Sequence, residues 1–389
     1  MPAAPAMQKA PSDTGGSDRQ PESVVSFRRA SGEGRYTFEV QAPLVLTANA
    51  QDLGPIDIKA YDYMRSILLL VQTTAAGASA GTAYQPDGPF NAITYIRVKQ
   101  PNGQTMYSVT SGFHAAMIHK HSFSRAEVDP RGNGQLFQAV SGTAPAFSFA
   151  IRIPFELDLR DALGALPNKD AAAPFTLEIG LNTAANVFTV VPTTSPTFKI
   201  TPILEAYDQP PSSLDGKGVE TTPPNMNTLQ RWTEQTVTMV SGAFDAKVKK
   251  LGNYVRELIF ITKSSAGARL SDATGWGDPV QIVLDEDVKD NIPLALWRND
   301  VYETWGYGGQ AGGATTAPAL DTAGGQDTGV FPYQYCVNRR TLEEDVAAYL
   351  PTIESEDYLL RSAVWGGSVS KMTILKCEVL PRGDIFGDV

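Results

Sequence analysis

Between Phe147 and Leu159 every second residue is apolar: Phe147, Phe149, Ile151, Ile153, Phe155, Leu157 and Leu159. Side chains alternate across a strand, so this period dictates an extended chain with one face buried and one wet. A helix would scatter the same residues around its circumference. Phe175, Leu177, Ile179 and Leu181 repeat the pattern, and Tyr36, Phe38 and Val40 open it in a strand over 35–41. Further strands are predicted at 63–73, 91–100, 104–110 and 197–207. The second half adds 235–241, 254–263, 279–284, 329–337, 357–364 and 371–380. The connecting stretches are rich in Ala, Gly, Thr and Pro, as at 73–89, 264–277 and 306–329. With 34 Gly and 27 Pro in 389 residues, the chain has the turn chemistry that an all-β protein needs.

Two helices interrupt this pattern. Ser111 can cap one over 111–122, where Phe113 and Met117 stand one turn apart. Leu294, Trp297, Val301 and Trp305 fall on one face of a second, over 293–305, with Pro293 suited to its first turn. Laid over each other, the halves repeat in order. Strand 66–71 answers 257–261, helix 111–122 answers 293–305, strand 175–181 answers 358–365, and 197–207 answers 371–380. A shorter helix, Asp158–Leu166, stops at Pro167, and its counterpart, Thr341–Leu350, stops at Pro351. Thr341 and Glu344 stand at capping-box spacing. The order implies duplication of one β-sandwich unit. Its boundaries are an arm over 1–34, a first sandwich over 35–208, a Pro-rich linker over 209–228, a second sandwich over 229–382 and a tail over 383–389. Pro210, Pro211, Pro223 and Pro224 make the linker semi-rigid.

Composition narrows the function. The net charge is −10, a poor basis for wrapping nucleic acid, which demands clustered Lys and Arg. Local positive charge gathers in short runs, for example Arg28–Arg29 or Lys247, Lys249 and Lys250, which read as solvated faces. The charged fraction, 19%, is below the roughly 25% of ordinary globular chains, as expected when much of a surface lies against other protein. Cys336 and Cys377 lie in apolar runs without a C-x-x-C and read as buried free thiols. Met1–Gln20 lacks the apolar stretch of a signal peptide, and the longest aliphatic run, Ile67–Val71, is far too short to span a bilayer.

Three stretches together resemble the major capsid proteins of tectiviruses, the tailless icosahedral phages with an internal membrane. They are Pro101–Asn102–Gly103–Gln104 leading to Ser111–Gly112–Phe113–His114; Ile153–Pro154–Phe155 leading to Asp161–Ala162–Leu163–Gly164–Ala165–Leu166–Pro167; and Phe175–Thr176–Leu177–Glu178–Ile179 followed by Asn182–Thr183–Ala184. The likeness covers residues 63–207; the second half matches by layout. It implies two tandem eight-stranded jelly-roll β-sandwiches with short helices in their loops, a double jelly roll. It also implies a non-enzymatic coat subunit forming homotrimers of pseudo-hexagonal outline, without a cofactor. Its partners would be other copies of itself, penton and minor capsid proteins, and a viral membrane on the inner side. The place implied is the virion capsid, assembled in the host cytoplasm. The family's N-terminal helix has little room here, since residues 1–23 hold Pro2, Pro5, Pro11, Pro21 and Gly15–Gly16.

The chemistry-bearing residues are few. His114, His119 and His121 are the only histidines, and all fall on or beside the first helix. A metal site there would need an acid, and none precedes Glu127 and Asp129, so a subunit contact sensitive to pH is the preferred reading. Arg28 and Arg29 are candidates for a basic contact on the inner face. The acidic run Asp285, Glu286, Asp287 and Asp290 lacks the register of a calcium loop and reads as favourable charge before the second helix. No nucleophile elbow or phosphate loop is present. A carbohydrate-binding or glycan-cleaving protein built on two jelly rolls is the alternative. It requires exposed aromatics, with tryptophans at 232, 276, 297, 305 and 365 available, or paired carboxylates. Glu156 and Glu178 read as ordinary solvent-side residues.

Overall fold

The computed structural model describes residues 24–38, 43–122, 129–158, 161–224, 228–249, 252–305, 327–336, 348–353 and 355–380. Eight principal strands build the first half: β1 Glu33–Thr37, β2 Gln51–Ile58, β3 Tyr63–Ala75, β4 Ile93–Lys99, β5 Thr105–Val109, β6 Ala146–Pro154, β7 Phe175–Leu181 and β8 Thr197–Tyr207. Eight more build the second: β9 Leu229–Thr238, β10 Gly242–Lys247, β11 Tyr254–Lys263, β12 Val280–Leu284, β13 Asp287–Ile292, β14 Val330–Gln334, β15 Tyr358–Trp365 and β16 Lys371–Leu380. The first half pairs in the order β1-β8-β3-β6 against β2-β7-β4-β5, the second β9-β16-β11-β14 against β10-β15-β12-β13. Adding eight to each number turns one order into the other. Both are jelly rolls, and the duplication expected from element order is a duplication of topology. Helix α2, Gly112–His121, follows β5, and helix α3, Leu294–Trp305, follows β13, which are equivalent places.

Each sandwich closes on its own apolar layer. Ile67, Leu69, Phe149, Ile151 and Ile200 face Ile58, Ile96, Leu177 and Ile179 in the first. Phe260, Ile282, Leu360, Ile374 and four tryptophans, Trp276, Trp297, Trp305 and Trp365, fill the second. The two units are not beads on a string. Strand β9 pairs in parallel with β5 at Trp232 and Tyr107, so one sheet runs from β2 through β5 and β9 to β14. The outer face of β9-β16-β11 carries Trp232, Ile259, Ile261, Leu375 and Cys377 into the first core. That accounts for the sequence of β11 and β16. Both are buried almost without interruption, and strands covered on two faces lose the alternation of a half-wet strand.

Several expectations need correction. Asp158–Leu166 is not a helix: among its described residues, Asp158 and Leu163 form an isolated bridge. Ala162 (φ +61°) and Gly164 (φ +86°) are left-handed, which a right-handed helix cannot contain. The proline positions are nonetheless equivalent. Leu166–Pro167 pairs with Tyr63–Met64 at the start of β3, and Leu350–Pro351 pairs with Tyr254–Val255 at the start of β11. The helix expected at 341–350 otherwise lies outside the described residues. Strand β6 ends at Pro154, although Phe155 and Leu157 stay buried. The acidic run is a hairpin rather than a helix approach: Asp285 and Glu286 adopt φ +53° and +74° between β12 and β13, as a tight two-residue turn requires. Strand β9 starts at Leu229, six residues before the expected 235. Within the arm expected over 1–34, the chain is already packed from Val25, which bridges Val219. Phe27, in the short helix α1 (Phe27–Ala30), is fully buried edge-on to Tyr63 and Tyr207.

Candidate functional site

Of the residues singled out by chemistry, the three histidines gather on α2, which runs along the seam between the sandwiches. Ser111 caps the helix by accepting from the Phe113 N–H at 3.2 Å. All ten helical residues are buried, because the first sandwich packs on one side and the β9-β16-β11-β14 sheet on the other. Gly112 is required by that closeness: a Cβ there would stand 2.1 Å from the Phe90 carbonyl oxygen.

The three histidines are buried within the chain, and two of them, His114 and His121, make contacts between its halves. His114 Nδ1 is 3.0 Å from Glu234 Oε2 on β9. Glu234 also accepts from the Thr110 N–H at 2.8 Å. Burial alone would raise the Glu234 carboxyl, but the hydrogen bonds from His114 and Thr110 bring it down to about 2. His119 accepts the Arg152 N–H on Nδ1 at 3.2 Å; burial and the Arg152 charge push the ring down to about 4. His121 sits edge-on to Trp305 of α3 at 4.9 Å, and burial and Lys120 push it down to about 3. Both rings are therefore neutral at pH 7.

A helix C-terminus leaves carbonyls without intrahelical partners, and here the second sandwich supplies donors. Trp305 Nε1 (3.2 Å) and Gln334 Nε2 (2.7 Å) donate to the His121 carbonyl. Arg256 donates to the Ser122 carbonyl at 3.0 Å, where its charge also suits the negative end of the helix.

Sequence reading missed the strongest feature. Lys120, wholly buried on α2, pairs with Asp129 (3.0 Å) and with Asp327 (2.7 Å), just before β14. Arg131 pairs with the same two carboxylates at 2.9 and 2.7 Å. Burial opposes ionisation of both acids, yet Lys120 and Arg131 hold both below the ordinary carboxylate range. A second set closes the seam nearby. Asp87 of the first half pairs with Lys263 (3.2 Å) and Arg269 (2.8 Å) of the second, while Arg269 lies over the Phe113 ring. The one available sequence signal was Lys120 itself, a charge inside a helix with no wet face.

The other candidates lie elsewhere. Arg28 pairs with Glu33 and lies 5.1 Å over the Tyr207 ring; Arg29 is exposed. Glu156 is buried rather than solvent-side. It accepts from Arg65 at 3.0 Å and from the Tyr207 hydroxyl, and burial raises it to about 7 despite Arg65. Glu178 pairs with Lys99 at 2.6 Å. All five tryptophans are buried, so none offers a sugar-stacking surface. Cys336 and Cys377 are buried thiols that form no disulfide. Among the described residues no three His, Cys, Asp or Glu side chains gather as metal ligands, and no helix is long and apolar enough to cross a membrane. The arrangement is built for rigidity: charges are neutralised in pairs and donors are spent on carbonyls.

No family model and no curated protein matches the sequence. Solved structures do match in fold. The major capsid protein of Sulfolobus turreted icosahedral virus superposes with a TM-score of 0.59 at 12% identity, over 90% of this chain and 97% of that one. VP54 of PBCV-1 gives 0.57 at 9% identity, over 91% and 95%. The major capsid protein P2 of bacteriophage PM2 gives 0.50 at 10% identity, over 90% and 99%. The likeness spans both sandwiches and the seam between them, and this chain therefore has the double jelly-roll fold found in these viral proteins.

Proposed function

We propose that this chain is the major coat subunit of an icosahedral virus. Three copies close into a trimer whose six sandwiches give a pseudo-hexagonal outline, and trimers tile the shell. The observation that carries this reading is the topological repeat: two sandwiches of identical strand order, held in one relation by a shared sheet and a buried seam. A cyclic trimer of such a chain presents six similar edges, which fit hexagonal lattice positions. The finer reading is a tectivirus-type phage capsid around an internal membrane. Penton and minor capsid proteins are then further partners, the virion is the place of residence, and the exposed Arg29 belongs to a basic inner face.

Light scattering on the purified native protein, followed by negative-stain microscopy, tests the proposal. The expected mass is three times 41.8 kDa, with hexagon-like particles or shells. A monodisperse single chain that forms no assemblies at any concentration overturns it.

A further inference from the structure

Where β5 leaves β9 after their single point of pairing, the sheet opens into a cavity of about 320 Å³. Its walls come from both sandwiches. Thr105 and Ser108 belong to β5; Arg231, Thr233, Glu234 and Gln235 to β9; Ile374 and Lys376 to β16; and Lys249 follows β10. Strand alternation puts Arg231, Thr233 and Gln235 on one face, while Trp232 points into the core behind them. Lys376 stands opposite Thr233 in the ladder.

The charge balance of this cavity is uneven. Three cations line it in a chain of net charge −10, and the acids nearby are already engaged. Glu234, itself part of the wall, has its carboxylate engaged by His114 and Thr110. Glu378 accepts from Lys376 at 2.7 Å. Among the described residues the Arg231 guanidinium makes no hydrogen bond or ion pair, and its Nε is buried without a partner. The Lys249 ammonium likewise has none, although its main chain bonds Gln235 and Lys376. Burial lowers Lys376, and the charges of Lys249 and Arg231 lower it further. A half-buried guanidinium costs free energy unless something answers its charge, and hydroxyls beside Arg and Lys are the donors that oxyanions use.

We propose that this cavity binds a phosphate-bearing ligand, with Arg231 and Lys249 taking the charge and Thr105, Ser108 and Thr233 giving hydroxyl hydrogen bonds. About ten waters' worth of volume, at about 30 Å³ each, exceeds one inorganic phosphate and suits a small phosphate ester or a diphosphate. Because β5 and β9 each form a wall, an occupant ties the two sandwiches together on the face opposite α2. The site is complete within one chain, so the proposal stands whether or not the protein forms a shell.

Isothermal titration of the intact protein with inorganic phosphate, pyrophosphate and glycerol 3-phosphate, at constant ionic strength with sulfate-free chloride as background, tests it. At least one of the three is expected to bind saturably with one site per chain. Arg231→Gln and Lys249→Gln are each expected to weaken that binding tenfold or more, while far-UV circular dichroism stays unchanged. Tighter binding of glycerol 3-phosphate than of pyrophosphate points to an esterified phosphate such as a lipid headgroup; the reverse points to a free diphosphate. No saturable binding by any of the three up to 10-millimolar order, or binding that neither variant weakens, overturns the assignment. Lys249 is exposed, so its variant remains informative if Arg231→Gln folds poorly.

Discussion

Replacing Asp327 by Asn removes one charge from the seam while keeping its shape. Neither Asp327 nor Lys120 exposes any side-chain surface. After the change Lys120 and Arg131 share Asp129 alone, and one buried positive charge is unanswered. Breaking a buried ion pair from one side costs about 3–5 kcal/mol. An unfolding entropy of about 2.1 cal/mol/K per residue, over 389 residues, gives about 0.8 kcal/mol per degree. The melting temperature should therefore fall by about 4–6 °C in a single transition, measured by calorimetry at equal protein concentration because assembly shifts the midpoint. Lys120→Met alone should cost a similar amount. The double variant leaves Arg131 and Asp129 as a balanced pair, so its cost should fall short of the sum by about 2 kcal/mol or more, a coupling typical of groups in one network. A drop below 1 °C for Asp327→Asn, or strictly additive costs, would refute the reasoning.

Acid should destabilise the fold well above the range where ordinary carboxylates titrate. His119 and His121 are depressed to about 4 and about 3 in the folded chain, against about 6.5 unfolded. The unfolded state thus binds more protons below pH 6.5, and stability falls as pH drops from there towards 4. Glu156, raised to about 7, acts the other way but is one group against two, so a melting temperature that rises or stays level from pH 7 to pH 4 would contradict the assignment. Gly112→Ala must displace the Phe90 carbonyl and should cost about 3 kcal/mol in urea unfolding, at the upper end of overpacking penalties. Gly103→Ala meets nothing within 4 Å and bears only its positive φ, so it should cost about 1 kcal/mol; the reverse ranking would show that α2 is not packed as described. Ser111→Ala removes the cap of α2 and should cost about 1 kcal/mol in the same assay.

Much of the architecture was legible because the jelly roll is written in local periods. Strands 175–181, 197–207, 254–263 and 371–380 stand where apolar pattern put them, and Ser111 marks the start of α2. The repeat was legible through the order of elements, since topology follows order. What escaped has a common cause. Ala162 and Gly164 reverse handedness within a stretch whose composition suits a helix, and Asp285–Glu286 turns a hairpin with residues that equally suit a helix N-terminus. Local signals there are ambiguous, and tertiary contacts decided. The charged seam was almost beyond local reading. Lys120 stands in a helix with no wet face, but Asp327 lies 207 residues away, and the partners taken singly look like solvated surface.

The chemistry of the seam follows from what a tandem duplication must solve. A sandwich buries its apolar layer within itself, so two copies joined by a linker have no inherent reason to hold one relative orientation. Apolar contact alone is nondirectional and would tolerate sliding. Here the contact is specified three times over. The β5–β9 pairing fixes strand direction, the second sandwich's Arg256, Trp305 and Gln334 fix the end of α2, and the four-charge cluster is neutral only when Asp327 meets both Lys120 and Arg131. A buried cluster of this kind is a poor source of net stability. We read it as a device for orientation, since any shift of one sandwich against the other strands a charge. For the coat subunit proposed above, which would offer the same edges to every neighbour, that constraint is worth more than a few additional kcal/mol.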